Sequence, residues 1–396
     1  MSKLPLEKVK VLDLTRVLVG PFCSLQLADL GAEVIKIEAP GGGDESRSFG
    51  PFMGERSAYF LSLNRNKKSV TLNLKSSEGQ EILKKMIRGF DVLVENFRPG
   101  TMEKWDLGYE TLSKINPGLI YTSVSGFGAT GPDCHKPAYD IVVQGRGGVM
   151  SITGQEGGEP TRVGASIGDL TAGLFTTVAI LSALYHARNT GKGQKIDISM
   201  LDCQVALLEN AIARYAVSGE APGPLGNRHP SITPFNSFKT KDGYIIIAVG
   251  NNRLWARLCQ ALEVQCLIED SRFSDNEKRT VNYRQLETAL EGSFIRQTSA
   301  FWLERLEREE IPCGLIQNIG QVLRDPQVLS RGMVREMDIG GEQTLITAGI
   351  PYKFSDTPCE RINAPPLLGE HTAPVLRDYT GLSDKEMAEL RRKKVI

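Results

Sequence analysis

The stretch GASIGDLTAG, Gly164 to Gly173, sets one carboxylate, Asp169, among small and apolar residues, directly ahead of an uncharged run from Leu170 to Tyr185. An acid so placed has two uses. Aspartate is a favoured helix N-cap, because its side chain accepts the orphan N–H groups of the first turn and its charge suits the positive end of the helix dipole. The same donors would keep the carboxylate ionised, and an ionised carboxylate can attack phosphoryl groups, sugars or activated acyl groups. Gly164, Gly168 and Gly173 would let a substrate approach closely. These residues alone fit both readings.

Other clusters admit a ligand and a plain reading side by side. Gly126-x-Gly128-x-x-Gly131 follows a predicted strand and formally matches a dinucleotide-binding fingerprint. That fingerprint needs a helix whose N-terminus faces the pyrophosphate, and Pro132, Asp133 and Pro137 leave no helical pattern here. APGGGDESRSFGPF, Ala39 to Phe52, could bring backbone N–H groups close to a phosphate, and reads equally as a flexible surface loop. Arg65, Lys67 and Lys68 in NRNKKSV, with Arg98 and Lys104 in ENFRPGTMEKW, put cations at strand–helix junctions, as a phosphorylated ligand or a solvated surface would. His229 and His371 stand alone in loops and receive no role in proton transfer.

These residues need a scaffold, and the pattern describes one. From Val9 to about Met200, short apolar runs (VKVLDL, EVIKIE, SVTLNL, FDVLVENF, GLIYTSVSGFG, QKIDISM) alternate with amphipathic segments, which predicts βαβ units and a parallel sheet covered by helices. A Gly/Pro-rich connection, SGEAPGPLGNRHPSITP, marks a boundary near Leu225. The expected division is a large domain over 1–224 completed by 337–396, with a smaller α/β domain over 225–336. In the smaller one, NSFKTKDGYIIIAVG predicts two strands joined at Asp242-Gly243.

At 396 residues the chain can bury a core without staples. Its 47 basic and 47 acidic side chains balance, so neither nucleic acid nor an anionic membrane surface is indicated as a partner. Seven scattered cysteines, none in a C-x-x-C pair, suit a reducing compartment, and the expected localisation is cytoplasmic. The N-terminus shows no apolar block of signal-peptide length, and the Leu170–Tyr185 run falls short of the roughly 20 residues of a membrane-spanning helix. Four histidines without paired spacing predict no metal site.

Taken together, VLDLTRVLVGPFCSLQLADLGAEVIKIE, NRNKKSV, VENFRPG, GFGATGP, YDIVVQ, GDLTAG, TGKGQKIDISM, IPCGLI and PPLLGEHT resemble the class III CoA-transferases, the formyl-CoA transferase and carnitine CoA-transferase type. The resemblance runs in order along the whole chain. It implies a Rossmann-like α/β large domain and an interlocked homodimer, with acyl-CoA and a carboxylic acid as substrates and no tightly bound cofactor. It also implies that Asp169 is the nucleophile and passes through an aspartyl-CoA thioester. By matched position, Val17 lies near the nucleophile, while Leu72, Asn96 and Phe97 line the CoA channel and Lys104 serves the phosphates. Lys136 and Tyr139 flank the reacting centre, and Met200 follows the strand after the catalytic helix.

Two departures bear on the substrate. Leu18 stands where formyl-CoA transferase has a glutamine, and no polyglycine run is present, which points away from formyl-CoA:oxalate exchange. Arg16, NRNKKSV and KTKDGY are more similar to the subgroup that moves CoA between dicarboxylic acids such as succinate and glutarate. Arg16 could pair with a distal carboxylate, or serve a CoA phosphate or a structural partner. The rival within the fold is α-methylacyl-CoA racemase, which has Gly-His-Asp where this chain has Ala138-Tyr139-Asp140.

Overall fold

The computed structural model describes residues 4–396, so Met1–Lys3, where the expected first domain begins, lie outside the described residues. The chain divides into two compact units, one comprising the residues up to Val149, Arg162–Ala216 and Leu329–Ile396, the other Met150–Thr161 and Val217–Val328. The divisions fall eight residues before the expected boundaries at 224 and 336, and a short segment, Met150–Thr161, goes with the second unit. There the Gly226 N–H donates to Gly154 and the Tyr283 hydroxyl to Glu156, pairings that no local sequence pattern announces.

The first unit is a mixed α/β fold around six parallel strands: β1 (Lys10–Asp13), β2 (Glu33–Glu38), β3 (Lys67–Thr71), β4 (Val92–Glu95), β5 (Ile120–Ser125) and β6 (Gln194–Ser199). Their spatial order is β3-β2-β1-β4-β5-β6. All six fall on the apolar runs read as strands. In β4 every residue is buried, as both-sided helix cover of a parallel sheet requires. The order reverses beside β1, so the loops after β1 and β4 leave the sheet at adjacent points, where α/β sheets open a crevice.

Five helices of this unit concern the site and its support: α1 (Val19–Asp29), α2 (Ser77–Met86), α3 (Asp140–Arg146), α4 (Ile167–Thr190) and α5 (Met200–Ala206). The α2 pattern is ordinary amphipathic packing, with Ile82, Leu83 and Met86 buried and Ser76 capping the Gly79 N–H. By contrast, α4 extends eight residues beyond the run Leu170–Tyr185 and, by length and composition alone, is apolar enough to cross a membrane. One face is that of a core helix: Ile180, Ala183 and Leu184 pack with Val11, Val92 and Val94 of β1 and β4. The other leaves Leu174, Phe175, Val178 and Tyr185 exposed. Gly191, at φ 73°, stops the helix in the left-handed conformation that suits glycine. In the tail, Val375, Leu376 and Met387 return to the core of this same unit.

The second unit has its own core. An antiparallel sheet of β7 (Phe235–Lys239), β8 (Tyr244–Ala248) and β9 (Cys313–Leu315) carries Phe238, Ile245 and Ile247 onto Trp255, Leu286, Phe294 and Trp302. The turn of the β7–β8 hairpin falls at Asp242-Gly243 as predicted, closed by the Thr240 N–H to the Gly243 carbonyl.

Gly168 and Gly173 serve packing, where the sequence suggested access for substrate. A Cβ at Gly168 would meet Val143 at 2.7 Å and Asp140 at 3.0 Å, and one at Gly173 would lie 2.9 Å from the Val19 carbonyl oxygen and 3.0 Å from the Phe22 ring. Gly173 thus lets α4 close on α1. Gly173→Ala is expected to cost about 1–2 kcal/mol, because overpacking against backbone outweighs the roughly 1 kcal/mol that alanine gains in a helix. Thermal unfolding checks this, and an unchanged Tm contradicts the close approach.

Candidate active site

A cavity of about 480 Å³ opens in the first unit at the crevice beside β1 and β4. The β1–α1 loop contributes Arg16 and Val17, and the loop after β4 contributes Asn96 and Phe97. Lys136 and Tyr139 come from the segment before α3, Met200 from the start of α5, and Asp169 from the first turn of α4. Eight of the ten residues expected at the site therefore line one cavity. Leu72 does not: its side chain is 1% exposed and packed among Leu12, Ile35 and Leu83. Lys104 ends a four-residue helix as an exposed side chain away from the lining, and Arg98, six positions earlier, lines the cavity instead.

Asp169 is not the cap of its helix. Ser166 holds the cap position, which makes Asp169 the third helical residue, and the carboxylate that takes a first-turn donor is Asp140: its Oδ1 accepts the Gly168 N–H at 2.8 Å. Asp140 is buried at the start of α3 and is held through Oδ2 by Gln144 Nε2 at 2.8 Å and Arg162 Nε at 3.3 Å. Arg162 also reaches the Ser166 hydroxyl at 3.2 Å. Among the described residues no donor bonds the Asp169 carboxylate. Burial, and then the charge of Asp140, push its pKa up to about 7, with Arg162 opposing. The expectation that helix donors keep this acid charged is thus corrected, because a neighbouring acid has taken the donor.

The rest of the wall is cationic and aromatic. The Arg16 guanidinium pairs with Glu45 at 2.5 Å and lies 5.6 Å from the Phe97 ring centre. Lys136 pairs with Asp133 at 2.5 Å, and Asp133 also holds Arg146. Tyr139 is 75% exposed. The Tyr59 phenol is pushed above its ordinary range by burial and then by the charges of Asp169, Asp44 and Asp140. Sequence reading missed Asp140, Arg162, Glu45 and Tyr59 as partners of the site; YDIVVQ, which begins at Tyr139, and the Ala138-Tyr139-Asp140 comparison touched Asp140 without giving it a role.

The cations of NRNKKSV are paired away from the cavity, Arg65 and Lys67 buried and Lys68 partly exposed. Arg65 pairs with Asp29 at 2.6 Å, Lys67 with Asp13 at 3.3 Å and Lys68 with Glu33 at 2.6 Å, so none of the three lines the cavity. Both histidines make main-chain contacts: His229 Nδ1 accepts the Ser231 N–H, and His371, far along the chain from Ser69, donates its N–H to the Ser69 carbonyl and accepts the Ser69 N–H at Nδ1. The loop Gly126–Gly131 opens no helix; Asp197 accepts the Ala129 N–H there, and a Cβ at Gly126 would overlap Ala138.

Residues 6–372 match the profile of CoA-transferase family III. The chain is 41% identical to the succinyl-CoA:glutarate CoA-transferase of Homo sapiens over 387 residues, 98% of this chain and 88% of that one. It is 44% identical to the acetyl-CoA:oxalate CoA-transferase of Acetobacter aceti over 366 residues, 92% of this chain and 93% of the other. Its structure superposes on the crystal structure of a CAIB/BAIF family protein from Brucella suis with a TM-score of 0.84 and 37% identity, covering 96% of this chain and 100% of that one.

The raised Asp169 pKa has a definite sign in stability. At low pH the carboxyl is neutral in both folded and unfolded chains. As pH rises from about 4 to about 7 the unfolded chain ionises first, so this residue progressively destabilises the fold, and the cost levels off above 7. Asp169→Asn should therefore be more stable than the parent by on the order of 1–3 kcal/mol at pH 8, and indistinguishable from it near pH 4. Urea unfolding at the two pH values measures this, and an equal difference at both contradicts the assignment.

Proposed function

The chain belongs to CoA-transferase family III and is an acyl-CoA:carboxylate CoA-transferase, and we propose that it moves CoA from a donor such as succinyl-CoA to a free dicarboxylate through a thioester on Asp169. The observation that carries this reading is the Asp169 carboxylate, without a hydrogen-bond donor among the described residues, in the wall of a cavity shared with Arg16, Arg98 and Lys136. An acid so placed is desolvated, and its lone pairs are not occupied by donors. A pKa near neutrality leaves a large ionised fraction at physiological pH and makes that fraction a stronger base than an ordinary aspartate.

In the first step an Asp169 oxygen attacks the thioester carbonyl carbon; the C–S bond breaks, CoA leaves as thiolate, and a mixed anhydride remains. The thiolate then attacks the aspartyl carbonyl carbon and displaces the donor acid, leaving aspartyl-CoA. The acceptor carboxylate attacks the same carbon and expels the thiolate, which attacks the acceptor's own carbonyl in the second anhydride. Asp169 returns as a carboxylate and the acceptor leaves as its CoA thioester. Each step exchanges one activated acyl group for another, so the thioester energy is carried through and no separate activation is needed. Cations at the mouth, Arg98 and Lys136, suit the phosphates of CoA, and Arg16 suits the distal carboxylate of a dicarboxylate.

The same reading includes a homodimer of interlocked chains. The exposed apolar stripe of Leu174, Phe175, Val178 and Tyr185 on α4 supports it, because such a stripe suits burial against a second copy.

Two outcomes test the proposal. Asp169→Ala is expected to remain folded and lose CoA exchange between succinyl-CoA and glutarate by at least about 1,000-fold, as loss of a nucleophile does. Arg16→Gln is expected to raise KM for glutarate about tenfold or more, while KM for a monocarboxylate acceptor such as butyrate changes little. Equal effects on both acceptors would move Arg16 from the acid to the CoA. Incorporation of deuterium at the α-carbon of a methyl-branched acyl-CoA, without acceptor acid, would contradict the transferase reading.

A further inference from the structure

Between β1 and α1 the chain adopts a conformation that its sequence disfavours. Val17 has φ 67°, in the left-handed region where a β-branched residue is strained by roughly 1–3 kcal/mol. Side chains grip the main chain at Val17 and at the two residues before it. The Thr15 N–H donates to Asp13 Oδ1 at 2.9 Å and the Thr15 carbonyl accepts Lys36 Nζ at 2.6 Å. Asn96 brackets Arg16, accepting its N–H at 3.0 Å and donating to its carbonyl at 2.9 Å. The Val17 N–H donates to the Asp44 carboxylate, at 3.0 Å and 3.3 Å to its two oxygens.

The strongest members of this clamp are buried charges. Lys36 Nζ lies 2.9 Å from Asp44 Oδ2, with both side chains within 1% of complete burial. Asp44 further accepts the Ser46 N–H at 2.9 Å and its hydroxyl at 2.7 Å, and its own N–H donates to Glu38 at 3.0 Å. Glu38 in turn is held by Arg47 at 2.7 Å and by the Ser69 hydroxyl at 2.6 Å. Burial opposes ionisation of Asp44, and Lys36 together with the Ser46 and Val17 N–H groups more than offsets it, so the acid is held down at about 2. A buried ion pair of this kind is seldom kept for stability alone, since apolar residues of similar volume often serve as well. This one ends on the N–H of a strained residue, and that residue lines the cavity with Asp169. Ala39–Phe52, which reads in sequence as a surface loop or a phosphate cradle, is here the source of the anion that grips Val17.

We propose that Asp44, with Lys36 as its buried counter-ion, is a positioning residue for acyl transfer: it holds Val17 left-handed, so that the wall formed by Arg16 and Val17 faces Asp169 in the arrangement that admits the thioester. A relaxed φ at residue 17 would turn the chain before α1 and carry Arg16 with it. The inference rests on Asp169 being the acylated group, so the parent protein is the control.

The test follows label exchange between succinyl-CoA and carbon-13 glutarate, with Tm and CoA affinity measured on every variant. Asp44→Asn is expected to lower kcat at least tenfold with KM for succinyl-CoA within threefold. Adding Val17→Gly to it is expected to recover much of that loss, because glycine takes a positive φ without strain. Rescue by glycine would not follow if Asp44 only stabilised the fold. Val17→Pro leaves the ion network's side chains in place but fixes φ near −65°, and it is expected to lower kcat about 100-fold while CoA still binds. This variant decides the matter if Asp44→Asn does not fold. The proposal is overturned if folded Asp44→Asn or Val17→Pro exchanges at the parent rate, or if glycine gives no recovery. If the parent itself does not exchange label, the transferase reading fails first and takes this inference with it.

Discussion

The hydrogen bond from the Gly168 N–H to Asp140 is the interaction on which the site depends. It gives a first-turn donor of α4 to a carboxylate that is buried and braced by Gln144 and Arg162, while Asp169 has no hydrogen-bond donor among the described residues. A carboxylate desolvated beside another acid holds its proton more tightly and, once ionised, is the stronger base. Two aspartates about a helix terminus have thus been given different environments, one hydrogen-bonded and the other in the wall of the cavity. The close fit of Gly168 against Val143 and Asp140 brings the two together, since any side chain at that position would push α3 and α4 apart.

The opposite wall is built on the same economy of charge. Cations and anions that the primary structure scatters over some fifty residues, from Asp13 to Lys67, meet beneath the β1–α1 loop, where Lys36, Asp44 and Glu38 are almost fully enclosed. The loop to which they bond is the one that presents Arg16 and Val17 to the cavity. Tyr139 and Lys136, at the rim, stay exposed.

How much of this was legible depends on how local the cause is. The six strands could be read because burial on both faces demands continuous apolar runs, and β4 shows that demand in full. Asp169 could be singled out because an acid beside an apolar helix is unusual at any distance scale. The acceptor of the first-turn N–H could not, because Asp140 is 28 residues away from Gly168 and only folding brings them together. The same holds for Lys67, which reads as a phosphate-binding cation until Asp13, 54 residues earlier, is found against it. Leu72 shows the converse limit: a position matched along the chain says where the backbone runs, and its alternation in β3 and beyond decides that the side chain points into the core. The boundaries of the two units shifted for a related reason, since Gly154 and Glu156 join the second unit through contacts made far along the chain.

The central claim is that Asp169 itself carries the acyl group, and isotopic oxygen addresses it most directly. If the donor acid is released by thiolate attack on the aspartyl carbonyl, it must leave with an oxygen that began on the enzyme. Protein whose Asp169 carboxylate has been enriched in oxygen-18 by prior turnover with labelled glutarate, then washed and given one equivalent of unlabelled succinyl-CoA and CoA, should release succinate bearing one oxygen-18 atom, and digestion should show that label depleted from the peptide containing Asp169. Succinate formed without any oxygen from the protein, with the Asp169 peptide unchanged, would contradict the account.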